Sequence, residues 1–201
     1  MKKKFDWIAF YDIDEYLFIK NYENINKFLL LPKFVKCTSI LINWRYYGDN
    51  NNIYYEPKPL QIRFSKPFEF SKNIKYNMYF YSAAKSIIRG GLKLQWAHFP
   101  HFLNSSNICS PDGIIIKNPF SPPKYSKAFI KHYATKSTEE YLMKLFKGNV
   151  IAPNFLNIHN IIYWISKYYF LFNKITKNKL RFIKRFIKLD ITKYVNKSIN
   201  L

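Results

Sequence analysis

The sequence predicts an α/β fold for residues 1–150, followed by a basic helical extension over residues 151–201. Two apolar runs rich in aromatic and β-branched residues, Trp7–Tyr11 and Cys37–Tyr47, are typical of buried strands. A polar segment with helix start and stop signals, Lys136–Gly148, predicts a helix after them. Because hydrophobic residues make up 48% of the 201 residues, the chain can bury a core of its own.

The remaining elements are shorter. Asn24–Leu31 has the pattern of a helix that Pro32 ends, and Gly48–Asn52 has the composition of a loop. Two strand pieces stand out further along the chain: Ser86–Arg89 and Gly113–Ile116. In the last predicted helix, Ser137 can cap the first turn while Glu140 reaches back to it, which is the pattern of a capping box.

The net charge of +21 would attract phosphate-bearing partners. The over-use of Lys, Asn, Ile, Tyr and Phe also matches AT-rich coding, so only local concentrations of charge are informative. Cys37 and Cys109 have no metal-ligand spacing, and a reducing, cytoplasmic setting is expected. Acidic residues interrupt the apolar N-terminal segment, and no charge-free apolar run reaches the roughly 18 residues of a membrane span, so neither a signal peptide nor a span is expected.

The motif that carries chemistry is Asp12-Ile13-Asp14, at the end of the first predicted strand. Ligands of open α/β sheets bind beyond the carboxyl ends of the strands. Alternate residues of a strand point the same way, so we expect Asp12 and Asp14 to lie side by side. Two carboxylates suit Mg²⁺ or Mn²⁺, and such a metal can neutralise a diphosphate leaving group. A solvated turn after a strand is the alternative interpretation.

Five blocks, in order, resemble glycosyltransferase family 92 and related bacterial proteins of glycosyltransferase family 2. Trp7–Phe18 resembles the family's Asp-x-Asp segment, and Ile42–Gly48 looks like its Asn-Trp…Phe-Gly block. Ile62–Phe64 follows where the family has Arg-Phe, and Lys85–Arg89 is similar to its Lys-x-Ile-Val-Arg block. His132–Gly148 resembles the closing His-Tyr…Lys-Ser…Glu-Glu signature. The resemblance spans roughly Phe5 to Gly148.

The resemblance implies a nucleotide-diphospho-sugar transferase (GT-A) fold and the transfer of a sugar from a nucleotide-diphosphate donor to a glycan or lipid-linked acceptor. Asp12 and Asp14 would hold Mn²⁺ or Mg²⁺ on the donor diphosphate. His132 matches a histidine that completes the metal shell, with helix capping or core packing as the alternative.

Substrate-binding candidates follow from the matched blocks. Lys85, Arg89 and Lys136 suit phosphate or acceptor groups through charge-assisted hydrogen bonds, with Arg89 and Lys136 favoured and surface charge as the alternative. Trp44 can stack on a sugar ring or pack in the core. His98 is a candidate for a sugar or phosphate contact, and its spacing from His101 does not predict a zinc site.

An inverting transferase also needs a general base for the acceptor hydroxyl. Carboxylates downstream of the metal motif are the candidates: Asp49, Glu56, Glu69 and Asp112. Asp49 lies in a loop beside a matched block, and Glu69 lies among aromatic residues that can raise its pKa. Asp49 and Glu69 are therefore the leading candidates, and the choice between them stays open.

The family's domain begins with a nucleotide-binding half upstream of the Asp-x-Asp strand, whereas here that strand begins by residue 7. We therefore expect a partial fold that lacks most of this half, with central parallel strands that leave an exposed apolar edge. A split or truncated gene, an earlier start, or a separate chain that supplies the missing half would each explain it. An inactive remnant that binds acceptor or membrane is the alternative function.

The segment Lys174–Leu201 contains nine Lys or Arg residues and one acid, Asp190. Its apolar residues recur at helical spacing: Leu180, Ile183, Ile187, Ile191 and Tyr194. This pattern predicts a basic amphipathic helix on the anionic inner face of a membrane. A packing helix and a nucleic-acid-binding arm are the alternatives, and without a nucleic-acid motif we do not expect nucleic acid as a partner.

Overall fold

The computed structural model of this chain describes residues 5–68, 82–92, 107–117 and 121–146. Within these ranges the chain is mixed α/β, with one six-stranded sheet and few helices. The predicted boundary at residue 150 and the basic extension beyond it lie outside the described residues. No helix in the described ranges is long and apolar enough to cross a membrane.

The described residues divide into two compact units. The first contains all six strands: β1 (Trp7–Ala9), β2 (Glu15–Ile19), β3 (Ser39–Tyr46), β4 (Ala84–Arg89), β5 (Ile108–Cys109) and β6 (Ala128–His132). It also contains helix α1 (Ile25–Leu29) and a 3-10 turn (Pro32–Phe34). The second unit contains α2 (Leu60–Arg63) and α3 (Thr138–Phe146).

The sheet has the strand order β1-β4-β3-β6-β2, with β5 also paired to β3. β1 and β3 run antiparallel to β4, and β2 runs antiparallel to β6. The expectation of central parallel strands holds only where β3 pairs with β5 and β6, since each is reached by a long connection rather than a hairpin. β1 ends the strand order and has one strand neighbour within the described ranges, with the exposed Phe5 and Phe10 on either side of it.

The core of the first unit lies between the sheet and the segment that holds α1 and the 3-10 turn. Phe28 and Phe34 pack there against isoleucines of three strands: Ile40, Ile42, Ile87 and Ile130. A disulfide joins the buried Cys37 and Cys109, whose Cα atoms lie 5.8 Å apart. This bond is at odds with the reducing setting expected from the sequence, because structural disulfides persist in oxidising compartments.

Most local predictions hold, with shifted ends. α1 follows Asn24, whose Oδ1 accepts the Asn26 amide at 2.7 Å. Of the predicted strand Gly113–Ile116, only Ile115 forms a bridge, because Gly113 turns the chain with a φ of 85°.

The second unit has a small aromatic core made of Tyr47, Phe64 and Tyr133. The predicted capping box of α3 is confirmed: the Glu140 amide donates to Ser137 Oγ at 3.2 Å, and the Ser137 amide donates to Glu140 Oε2 at 3.2 Å. The helix begins later than predicted, because Lys136 has a φ of 55°, which is not helical.

Candidate functional site

The predicted metal motif lies in a tight turn and not in a strand. β1 ends at Ala9, and the Glu15 amide donates to the Asp12 carbonyl at 3.0 Å, which closes a four-residue turn over Asp12–Glu15. The prediction that Asp12 and Asp14 project side by side from a strand end is therefore wrong, since the alternation of side chains requires extended backbone. The Asp12 side chain is 68% exposed, whereas that of Asp14 is 10% exposed.

Lys85 of β4 contacts this turn. Its Nζ donates to Asp12 Oδ2 at 2.9 Å and lies 3.1 Å from Glu15 Oε2, and its side chain is only 8% exposed. The register of β1 and β4 pairs Ala9 with Ile87, so Lys85 lies two residues further, level with the chain that enters the turn. β4 therefore delivers one buried cation to the acidic motif.

Glu15 is the residue of this cluster that the sequence did not single out. Its side chain has no exposed surface, and Oε2 accepts both the Asp12 amide at 3.0 Å and the Lys85 ammonium. Its other oxygen, Oε1, is buried and has no hydrogen-bond partner among the described residues. The acid beside the Asp-x-Asp motif was visible in the sequence, but its burial depends on the turn and on a strand some 70 positions away.

Burial controls the ionisation of this cluster. Desolvation raises the pKa of Glu15 to about 7, against the hydrogen bond from the Asp12 amide and the charge of Lys85. At Asp12 desolvation acts in the same direction, but the hydrogen bond and charge of Lys85 outweigh it and lower the pKa of that carboxyl. Burial, with the charge of Glu15, raises the pKa of the Tyr11 hydroxyl above its ordinary value. The cluster thus combines an exposed carboxylate, Asp12, with a buried acid, Glu15, and the buried ammonium of Lys85.

His132, at the end of β6, faces the same turn. The pairing of β2 with β6 sets Glu15 opposite His132, and His132 Nε2 lies 4.0 Å from Asp14 Oδ1. The imidazole contacts the rings of Trp44 and Tyr46, at centroid distances of 4.3 and 5.2 Å. Since 4.0 Å is too long for a hydrogen bond, the two groups are spaced as neighbours that can share a ligand.

Arg89 is not part of this cluster, although it shares β4 with Lys85. Its guanidinium donates to the carbonyls of Cys37 at 2.9 Å and Phe34 at 2.7 Å, and it lies over the Trp7 ring at 4.3 Å. Four residues along a strand separate it from Lys85, which is about 13 Å. The structure thus gives Arg89 a role in holding the 3-10 turn against the sheet.

The other predicted site residues lie elsewhere. Asp49 and Lys136 belong to the second unit, where Asp49 Oδ1 accepts the Asn51 amide at 2.9 Å in a local turn. Glu69 and His98 lie outside the described residues. Trp44 is half-buried against His132, so core packing, the alternative to sugar stacking, describes its surroundings better.

The site has suitable donors for a divalent metal but too few of them for a complete coordination shell. The carboxylates of Asp12 and Asp14 are the hard oxygen donors that Mg²⁺ and Mn²⁺ take, and the buried Glu15 Oε1 is a further acceptor. Yet the described ranges contain no group of three or more His, Cys, Asp or Glu side chains arranged to hold a metal, and Lys85 already pairs with Asp12 and Glu15. The donors therefore fit a metal that takes one or two protein ligands and shares the rest of its shell with a phosphate.

Comparison with known proteins adds no relative to this picture. No family model matches the chain, and neither a curated protein nor a solved structure is significantly similar to it. The family resemblance therefore rests on the five sequence blocks. Four of the five contribute a side chain to one place in the first unit: Asp12, Trp44, Lys85 and His132. The fifth, with Arg63, belongs to the second unit.

Proposed function

We propose that this chain is the acceptor-side part of a metal-dependent glycosyltransferase, which takes a nucleotide-diphosphate sugar as donor and a glycan or lipid-linked molecule as acceptor. The observation that carries the proposal is the convergence of side chains from four separated sequence blocks around the Asp12–Glu15 turn. Packing of a core does not require such a set, because burying acids and a lysine costs free energy even when they are paired, and ionisable groups with shifted pKa values cluster at functional sites.

The chemistry of the cluster suits a diphosphate bound with a metal. Asp14 and His132 are the nearest pair that can share one cation, and a nitrogen ligand favours Mn²⁺ over Mg²⁺. When bound, the metal would neutralise the charge that develops on the leaving diphosphate. Trp44 orients His132 through ring contact, which is a positioning role and replaces the sugar-stacking role expected for it.

Asp49 and Glu69 remain the candidates for the general base, and Glu69 lies outside the described residues. Glu15 has a pKa suited to a base, at about 7. Its side chain has no exposed surface, however, so it cannot reach an acceptor hydroxyl. A further partner belongs to the same proposal: an anionic membrane surface for the segment Lys174–Leu201.

The test is calorimetry of the chain with Mn²⁺ and a nucleoside diphosphate, separately and together. Each should bind weakly alone and more tightly with the other, because the metal bridges protein and phosphate; we expect coupling of about tenfold. Asp14→Asn should abolish the coupling, and His132→Ala should weaken it. Asp112→Asn, which removes an acid in the hairpin turn of the same unit, is the matched control.

Two outcomes would contradict the proposal. Coupling that survives undiminished in Asp14→Asn would show that the metal lies elsewhere. Independent binding of metal and nucleotide in the wild type would favour the alternative, an inactive remnant that binds acceptor or membrane. The observation that favours this alternative is the pairing of Asp12 with Lys85, which leaves the carboxylate neutralised without a metal.

A further inference from the structure

At the Asp12–Glu15 turn two acidic side chains contact a single lysine. That lysine is Lys85, and its ammonium is shared between Asp12 Oδ2 at 2.9 Å and Glu15 Oε2 at 3.1 Å. Glu15 Oε1 is buried and lacks a hydrogen-bond partner among the described residues. The one ammonium is thus shared by two acids, of which Asp12 is 68% exposed and Glu15 is fully buried.

An ion pair that only stabilises structure is arranged differently, and the second unit of this chain contains one. In the second unit Arg63 meets Glu140 one-to-one, with two hydrogen bonds of 2.6 and 3.0 Å that engage both carboxylate oxygens. At Lys85 the cation is a single compact ammonium on a flexible stem, shared by two acids. Such a group can leave its partners at less cost than a forked guanidinium can.

From this arrangement we propose that Lys85 is an internal counter-ion: its ammonium pairs with Asp12 and Glu15 until a divalent cation takes its place at the exposed Asp12 carboxylate. Ammonium and metal then compete for the Asp12 oxygens, so the metal alone binds weakly. Displaced from the carboxylates, the ammonium remains on β4 beside the turn, where it can pair with a phosphate that arrives with the metal. This inference rests on the proposed function, because it concerns the divalent metal of that site and names Lys85 as its competitor.

The test is a titration of the full 201-residue chain with Mn²⁺ alone, followed through the electron paramagnetic resonance signal of the free ion. Lys85→Met keeps an unbranched side chain that is one heavy atom shorter and removes its charge, so Mn²⁺ should bind at least about tenfold more tightly. Lys131→Met is the matched control, because Lys131 is a lysine of β6 whose Nζ lies over the Phe18 ring at 5.2 Å. Successive residues of a strand point to opposite faces, so the charge of Lys131 lies on the other face of the sheet from His132, and its removal should change the affinity by less than about twofold.

Tighter Mn²⁺ binding in Lys85→Met alone supports the proposal. Equal affinity in Lys85→Met and the wild type, or an equal gain in both variants, overturns it. If Lys85→Met does not fold, the wild type provides the measurement: a buried ammonium is observable by ¹⁵N NMR, and Lys85→Arg assigns its resonance. Titration with Mg²⁺ alone should shift that resonance, and a resonance that stays in place throughout the titration overturns the proposal.

Neither measurement contains a nucleotide. A failed Lys85 test therefore leaves the coupling of metal and nucleotide to decide the proposed function. The converse outcome is also informative. If Lys85 competes with Mn²⁺ but metal and nucleotide bind independently, the counter-ion role of Lys85 stands and the proposed transferase function fails.

Discussion

The two units of this chain each contain buried charged side chains, arranged in opposite ways. In the second unit Arg63 and Glu140 form a matched pair, with side-chain exposures of 5% and 16% and a carboxylate engaged through both oxygens. In the first unit Lys85 is shared by Asp12 and Glu15, and one Glu15 oxygen lacks a partner among the described residues. The matched pair ties α2 to α3, whereas the mismatched cluster ties a turn to the middle of a sheet.

The difference separates residues that specify structure from residues suited to chemistry. When both oxygens of a carboxylate are hydrogen-bonded to the partner cation, little hydrogen-bonding capacity remains for a ligand. A cluster with surplus acid and a pKa far from its ordinary value is the arrangement that functional sites show. Both clusters come from blocks of the same family resemblance, so a matched block by itself does not mark a catalytic residue.

The largest effect is expected at the matched pair. Arg63→Ala should lower the free energy of unfolding by about 3–5 kcal/mol, because it leaves the Glu140 carboxylate without its cation in a nearly buried position. Urea unfolding of the wild type and variant measures the change. Lys58→Ala is the matched control, since its pair with Glu56 is 62% and 50% exposed, and it should cost about 0–1 kcal/mol.

If both variants lost the same small amount, the Arg63 pair would be a surface pair in solution and the contrast between the units would disappear. The loss in Arg63→Ala should also shrink in acid. The hydrogen bond from Arg63 lowers the pKa of Glu140 despite its desolvation, so the pair contributes above pH 4.5 and loses its contribution as pH falls below that value.

The sequence predicts local features well and long-range ones poorly. The capping box needs only Ser137 and Glu140, three positions apart, and the strand at Cys37–Tyr47 needs only a run of β-branched and aromatic residues. Both were found because their causes are contiguous in the chain. The two ends of the disulfide are 72 residues apart, and no local pattern pairs them.

The candidate site was predicted in its residue types but not in its geometry. Asp12, Asp14 and His132 were singled out, and the structure brings His132 within 4.0 Å of Asp14. The expected strand end became a turn because Glu15 bonds back to both the amide and the carbonyl of Asp12. Lys85 joins the turn through the register of β1 and β4, which hydrophobic pattern alone does not fix.

A second prediction concerns the mismatched cluster and pH. The pKa of Glu15 is raised from 4.5 to about 7 in the folded chain. The folded state therefore binds the extra proton between these values, so the contribution of Glu15 to stability is present below pH 4.5 and is lost as pH rises through about 7. The wild type should lose roughly 3 kcal/mol across this window relative to Glu15→Gln.

Urea unfolding of both proteins at a series of pH values measures this difference. Glu140→Gln is the contrasting variant, because its carboxyl has a lowered pKa and its stability difference from the wild type should change in the opposite direction with pH. A difference between wild type and Glu15→Gln that is flat with pH would show that Glu15 is hydrated, and the cluster would then be an ordinary surface group.

The smallest expected effect is the difference in stability cost between removing two helix caps, Ser137 in the second unit and Asn24 in the first. Ser137 Oγ accepts the Glu140 amide at 3.2 Å and donates to the Glu140 carboxylate at 2.8 Å, so it also supports the acid that holds Arg63. Asn24 accepts one amide, that of Asn26, at an exposed position. Ser137→Ala should therefore cost about 1–2 kcal/mol and Asn24→Ala about 0.5–1 kcal/mol, both measured by urea unfolding.

In the background of Arg63→Ala the cost of Ser137→Ala should fall, because the carboxylate that Ser137 supports no longer has its partner and coupled residues are not additive. Equal costs in the two backgrounds would mean that the cap and the ion pair act independently, and the second unit would then lack the connected charge network that distinguishes it from the first.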